Sequence, residues 1–226
     1  MSALLAINKP VGPTSHDVLQ TLRRITGEKR IGHAGTLDPL ASGVLVVGIG
    51  RDATRQLNEA VQKEKEYLAT ITLGETSTTD DAEGLITKYQ SPITNHQLPI
   101  TKQPTKKEVA VVLKEFIGSI KQVPPPYSAV KIRGQEAYKR ARRGEQLNMP
   151  PRDVDIFSIE LISYDYPTLV LKVTTGPGVY IRSLARDIGT KLKTGGYLKQ
   201  LIRTRVGQYT IEQALTVEQF AKQFET

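Results

Sequence analysis

Gly32-His33-Ala34-Gly35-Thr36-Leu37-Asp38-Pro39-Leu40-Ala41-Ser42-Gly43 is the stretch on which the reading of this chain turns. Three glycines, a histidine, an aspartate and an Asp-Pro bond fall within it. Glycine permits positive φ and lets a bulky ligand approach the backbone closely. Pro39 biases Asp38 toward an extended conformation and so fixes the angle at which its carboxylate projects. The same composition also makes an ordinary tight turn. These residues alone leave turn and site both open.

Outward from this stretch the chain divides into short elements. On the N-terminal side, Leu4 to Asn8 reads as a strand that Lys9-Pro10-Val11-Gly12-Pro13 cannot continue. Thr14 and Ser15 offer N-caps to a helix with Val18, Leu22 and Ile25 at helical spacing, and Gly27 ends it. Gly32 to Pro39 reads as a loop leading into a buried strand over Gly43 to Gly48. A helix is expected over Ala53 to Val61 and an alternating strand over Tyr67 to Leu73. Gly74 to Gly84 is polar and acidic and reads as a loop.

Thr105-Lys106-Lys107-Glu108 is a capping box that opens a helix to Phe116. Pro124-Pro125-Pro126 breaks the chain before a strand over Tyr127 to Ile132 and a basic helix over Gln135 to Arg143. Strands over Val154 to Tyr164 and Leu169 to Thr175 are placed to pair as a hairpin. A helix over Tyr180 to Lys193 and a strand over Leu198 to Tyr209 follow, and Thr210 and Thr216 each open a short helix. This irregular alternation favours α+β over a doubly wound parallel sheet.

The 226 residues suffice for one substantial core, and 38% apolar with 24% charged content marks a folded chain. The absence of cysteine excludes disulfides, thiolate metal sites and a cysteine nucleophile. His16, His33 and His96 are far apart and lack ligand spacing, so no metal is expected. The apolar start through Ile7 is too short for a signal peptide. No run approaches the roughly 18–20 apolar residues of a membrane span. A cytoplasmic protein is the expectation.

The net charge of +8 is unevenly placed. Lys121 to Arg152 carries +6, Arg182 to Arg205 another +6, and the rest of the chain −4. Two basic islands on a slightly acidic protein point to a local polyanion site.

Gly32 to Gly43 resembles the G-H-x-G-x-L-D-P-x-A-x-G motif of the tRNA pseudouridine synthase B family. Asn8-Lys9-Pro10-Val11-Gly12-Pro13-Thr14-Ser15 is similar to that family's K-P-x-G-x-T-S segment. Further similar segments follow in the same order: Lys65-Glu66-Tyr67, Gln122 to Lys131, Gly178 to Arg182, and Leu201 to Gly207. The resemblance runs from about residue 4 to residue 209, so it covers nearly the whole chain. It implies the pseudouridine synthase fold: α+β, with a mixed, mostly antiparallel central sheet flanked by helices. It also implies isomerisation of the T-loop uridine at standard tRNA position 55.

The resemblance assigns roles position by position. Asp38 corresponds to the essential aspartate. Tyr67 resembles the tyrosine that stacks on the target base, and Arg182 the arginine that pairs with the aspartate. Tyr180 and Leu201 resemble residues that line the uracil pocket, and His33 the histidine set against the RNA loop when the nucleotide flips out. Lys9 and Pro10 are expected to support the catalytic loop. No cofactor is implied, because the reaction needs neither redox change nor phosphoryl transfer.

The basic region at about residues 124–152 corresponds to an insertion that clasps the T arm. Lys131, Lys139, Arg140, Arg142 and Arg143 are its candidate phosphate contacts, joined by Arg203 and Arg205. Lys139 and Arg143 would share a helical face. The expectation is one catalytic domain over residues 1–226 that binds a tRNA T stem-loop as a monomer, with no protein partner and no membrane. A PUA-like C-terminal domain, common in the family, is expected to be absent, with weaker and more salt-sensitive RNA binding as the result. A non-catalytic RNA-binding or tRNA-folding protein on the same scaffold is the first rival, and Asp38, Tyr67 and Arg182 together argue against it. A guide-RNA-dependent synthase is the second; such members usually carry an extra RNA-binding domain.

Overall fold

The computed structural model describes residues 2–90, 103–132 and 134–224, so His96 and Arg133 lie outside the described residues. It divides into two compact units. The first comprises Met1–Leu68, Thr174–Pro177 and Leu201–Thr226; the second comprises Ala69–Val173 and Gly178–Gln200.

The chain opens with β1 (Ala3–Lys9), α1 (Ser15–Thr26), β2 (Ile31–Ala34), β3 (Ala41–Ile49) and α2 (Arg51–Gln62). β4 (Lys65–Leu73) carries it from the first unit into the second. There follow β5 (Glu75–Ser77), β6 (Ile86–Lys88), α3 (Lys106–Lys114), β7 (Gly118–Gln122), β8 (Lys131–Ile132), β9 (Gln135–Glu136) and α4 (Ala137–Ala141). β10 (Arg152–Asp165), β11 (Thr168–Thr175) and α5 (Ile181–Lys191) come next. β12 (Gly196–Val206) returns the chain to the first unit, which ends with β13 (Tyr209–Thr210) and α6 (Val217–Ala221).

In the first unit the strand order is β1-β3-β12. β1 runs antiparallel along one edge of β3, from Ala3↔Ile49 to Lys9↔Gly43. The other edge is shared. β12 pairs in parallel with Ala41 to Gly43, and β2 pairs antiparallel with Val46 to Ile49. β3 is buried on both faces, which is why it reads as an unbroken apolar run. Leu45, Val47 and Ile49 pack with Ile7 against Val18, Leu19 and Leu22 of α1 and Phe220 of α6. Val44 and Val46 point the opposite way, toward Leu57 and Ala60 of α2. At about 1.5–3 kcal/mol for each large aliphatic side chain buried, these two clusters anchor the unit that carries Asp38.

In the second unit the order is β4-β11-β10-β7, with β10 antiparallel to β7 from Arg152↔Gln122 to Ile156↔Gly118. β4 buries alternate residues, Lys65, Tyr67, Ala69, Ile71 and Leu73, as its sequence pattern requires. The fold is α+β, as the irregular alternation implied.

Five local expectations change. Gly32 to Pro39 is not all loop, because Ile31–Ala34 finds the free edge of β3 and becomes β2. Gly74 to Gly84 likewise holds β5, paired with β6. Of the strand expected over Tyr127 to Ile132, only Lys131–Ile132 pairs, with Gln135–Glu136. That hairpin consumes the start of the basic helix, so α4 spans Ala137–Ala141 alone and Lys139 and Arg143 share no helical face. Thr216 does cap a helix, through a reciprocal box with Gln219. Thr210 does not, because Tyr209–Thr210 pairs with Arg205–Val206 and the chain then turns.

Candidate active site

Asp38 projects from the turn between β2 and β3, and the preceding loop holds that turn. Ser15, buried in the first turn of α1, accepts from the Leu37 N–H at 2.9 Å and donates to the Leu37 carbonyl at 3.0 Å. Gly12 N–H donates to the Pro39 carbonyl at 2.9 Å, and Ala41 N–H to the Asp38 carbonyl at 3.0 Å. The Gly12 loop is itself tied by the fully buried Lys9, whose ammonium donates to Pro10 O at 2.8 Å and Pro13 O at 2.7 Å. The backbone on both sides of the carboxylate is therefore fixed before any ligand arrives, which is what a reacting group requires.

Under this turn lies Arg203. The sequence placed it among the phosphate contacts, and the structure corrects that: it is 2% exposed. Alternation along β12 sends Leu201 and Arg203 inward together. The Arg203 Nε donates to Val44 O at 2.7 Å and Nη2 to Gly35 O at 2.9 Å. Val44 sits in the gap between the parts of β3 paired with β12 and with β2. Burial works against the guanidinium charge, while the Tyr67 phenol and the nearby Asp38 carboxylate work for it.

Lys65 and Tyr67 share the buried face of β4. The Lys65 ammonium donates to Val61 O at 2.7 Å and Lys63 O at 2.6 Å. Burial, with the charge of Arg203 second, pushes its pKa down to about 8. His33, at the edge of the same group, is half-buried. Burial first, then Arg203 and His16, hold it below the usual imidazole value, so it is neutral at pH 7. Its buried Nδ1 has no hydrogen-bond partner among the described residues.

The second unit builds its own buried cluster around α5. Arg182 Nη1 lies 3.2 Å from Asp81 Oδ2, and both side chains are almost wholly buried. Arg182 also donates to Tyr127 O at 2.9 Å and Thr79 O at 3.3 Å. One turn along, Arg186 bonds Asp80 at 2.7 Å, Asp187 at 2.9 Å and Val123 O at 2.9 Å. Burial raises the Asp80 pKa against the opposing pull of Arg186 and Arg182. The two arginines thus span from an acidic turn to the proline-rich loop. Tyr180 is the N-cap of α5 and lacks a side-chain cap. The buried Gln122 holds the backbone of this cap residue, accepting from Tyr180 N–H at 2.8 Å and donating to its carbonyl at 3.1 Å. The Tyr180 side chain packs on Val130, Ala137 and Met149.

The remaining basic candidates differ from one another. Lys131, Arg142 and Arg143 are exposed, and Arg142 lies 5.6 Å from the Tyr138 ring centroid. Lys139 is paired with Glu136 at 2.7 Å, Arg140 with Glu145 at 2.7 Å, and Arg205 with Glu64 at 2.6 Å. Among the described residues no group of three metal-ligating side chains forms, and no helix is long and apolar enough to cross a membrane.

Sequence reasoning missed Asp81, and gave Ser15, Gln122 and Lys65, all within family-like segments, no role at the site. Their signals are weak one by one: Asp81 sits in an acidic run, and Gln122 only opens a family-like segment. Only their partners, far along the chain, reveal them.

The fold and this set of side chains place the chain among the pseudouridine synthases. It superposes on a chain of a crystallised Cbf5–Nop10–Gar1 complex with a TM-score of 0.72 and 29% identity over 97% of its length, spanning 53% of that chain. Residues 23–181 match the TruB family pseudouridylate synthase N-terminal domain, and residues 182–226 the tRNA pseudouridylate synthase B C-terminal domain. The chain belongs to the TruB family. Among its relatives, the tRNA pseudouridine synthase B of Thermobifida fusca is 44% identical over 98% of this chain and 75% of its own. That of an Arthrobacter species is 44% identical over 100% of this chain and 72% of its own.

Proposed function

We propose that this chain is a tRNA pseudouridine synthase that isomerises the T-loop uridine at standard position 55, with Asp38 as the reactive carboxylate. One observation carries the reading: in a TruB-family chain, the Asp38 turn is clamped on both sides, and its carboxylate and the Tyr67 phenol both favour the charge of the buried Arg203. The reaction breaks the C1′–N1 bond, turns the base in place and joins C1′ to C5. C5 loses a proton and N1 gains one, so the atoms balance without cofactor or metal. Asp38 acts either as nucleophile at the sugar or by stabilising and deprotonating a sugar intermediate. Tyr67 stacks on the base and is placed to take the C5 proton.

Flipping the uridine out of the loop costs a few kcal/mol, offset by protein contacts that replace lost stacking. By the family resemblance, Tyr180 and Leu201 contact the uracil, Arg182 supports the carboxylate, and the neutral His33 meets the RNA loop. Exposed Lys131, Arg142 and Arg143 are the stronger phosphate contacts. Lys139, Arg140 and Arg205 must first leave their glutamates, which weakens their case. The chain works as a cytoplasmic monomer on tRNA, with no protein partner.

The test is incubation with a bare T stem-loop transcript, followed by carbodiimide primer extension. Pseudouridine at the target uridine, formed without guide RNA or added protein, is the expected result. Binding without product would leave a non-catalytic RNA-binding protein. Asp38→Asn is expected to abolish turnover while changing RNA affinity by less than about tenfold, roughly 1.4 kcal/mol. Substantial residual turnover would remove Asp38 from its role.

A further inference from the structure

We infer that Arg203 is a positioning residue for the reaction, holding the Tyr67 hydroxyl and the Asp38 turn in one fixed arrangement from beneath; this rests on the function proposed above. A guanidinium carries five N–H donors in a rigid planar fork. Val44 O and Gly35 O take two of them, and both acceptors are neutral. Neutral carbonyls alone poorly repay the burial of a charge. The Asp38 carboxylate and the Tyr67 phenol are the groups that favour this cation. The other titratable groups facing it, Lys65 and His33, are pushed toward neutrality by burial first and by its charge second.

The local backbone is shaped around this side chain. Gly35 has φ +80, and a Cβ there would stand 3.4 Å from Arg203 Nη1. Gly43 has φ +102, and a Cβ there would stand 2.2 Å from the Arg203 carbonyl oxygen. The positive φ at Gly35 and the closeness of the Arg203 backbone at Gly43 require glycine, so these two residues of the Asp38 motif answer to the Arg203 strand as well as to the turn. One opens its carbonyl to the fork, and the other lets β12 lie close enough to β3 for the fork to reach Val44. Through Gly35, Arg203 holds the start of the turn that ends at Asp38. Tyr67, on β4 beside β12 in the sheet, is the phenol that favours its charge and that it would hold in place. A lysine at this position is a point charge that could meet one of these acceptors but not the planar set.

The experiment compares wild type, Arg203→Lys, Tyr67→Phe and the double variant by steady-state and single-turnover assays on a T stem-loop. Arg203→Lys is expected to lower kcat by about thirtyfold or more with KM for the RNA within about threefold. In the Tyr67→Phe background the same change should cost less than about half as much on a logarithmic scale, because the hydroxyl it positions is gone. An Arg203→Lys rate within about threefold of wild type would overturn the inference, as would a full, additive cost in the Tyr67→Phe background. If circular dichroism shows that the lysine variant does not fold, Arg203→Gln replaces it under the same criteria. An inactive wild type would instead defeat the proposed function.

Discussion

Lys121 to Arg152 and Arg182 to Arg205 carry the same net charge, +6 each, and read alike as phosphate-binding surfaces. The fold treats them in opposite ways. In the first island Lys131 stands in solvent on a short hairpin, and Arg142 and Arg143 on the turn that follows the five-residue α4. In the second, Arg182 is 5% exposed and Arg203 2%. Each buried arginine has a specific set of partners: Asp81, Thr79 and Tyr127 for one, and Val44, Gly35, Tyr67 and Asp38 for the other. A surface cation needs only water and attracts a polyanion from a distance. A buried one must be matched donor by donor, and so it orders whatever surrounds it. Equal charge in sequence thus separates into an exposed basic surface and a pair of buried cations that order their surroundings.

The comparison can be broken most directly at Arg182. Arg182→Met leaves Asp81 buried without its cation and should cost about 3–5 kcal/mol of stability in urea unfolding, along with turnover. Adding Asp81→Leu should recover most of the stability and none of the turnover. Turnover returning with stability would reduce the pair to scaffolding.

Lys65 sharpens the same contrast on a smaller scale. Its folded pKa of about 8 lies below the ordinary 10.5, so the unfolded chain binds more protons between those values. Stability should therefore rise as pH climbs from about 8 toward 10.5, by roughly 2–3 kcal/mol. Denaturation midpoints of wild type and Lys65→Met across that range isolate the effect; parallel curves would show that Lys65 is not the source.

The smallest change is expected at the surface. Arg142→Ala with Arg143→Ala should weaken T stem-loop binding by about tenfold. It should flatten the log–log salt dependence by roughly 0.7–0.9 per lost phosphate contact, while the single-turnover rate at saturating RNA stays unchanged. An unaltered slope would make those arginines an ordinary solvated face.

Much of the local structure was legible in the chain. The alternation of β4, the apolar run of β3 and the capping boxes at Thr105 and Thr216 each depend on residues a few positions apart, and each forms. Where a segment's state depends on a remote edge, local reading failed. Ile31–Ala34 became strand because β3 offered an unpaired edge, and Thr210 could not start a helix because β12 had already claimed it.

For the site, the motif around Asp38 and its resemblance to the TruB family were complete in the sequence, because the residue types that mark that turn stand together in the chain; the need for glycine at position 43, set by β12 passing close to it, does not show there. Side-chain burial was not, because it is a property of what packs above a residue. Arg203 and Arg143 are the same residue type in similar basic company. Only the approach of β12 to β3, 159 residues from Arg203 to Val44 along the chain, decides that one is a fixed cation under the carboxylate and the other a free hand on the surface.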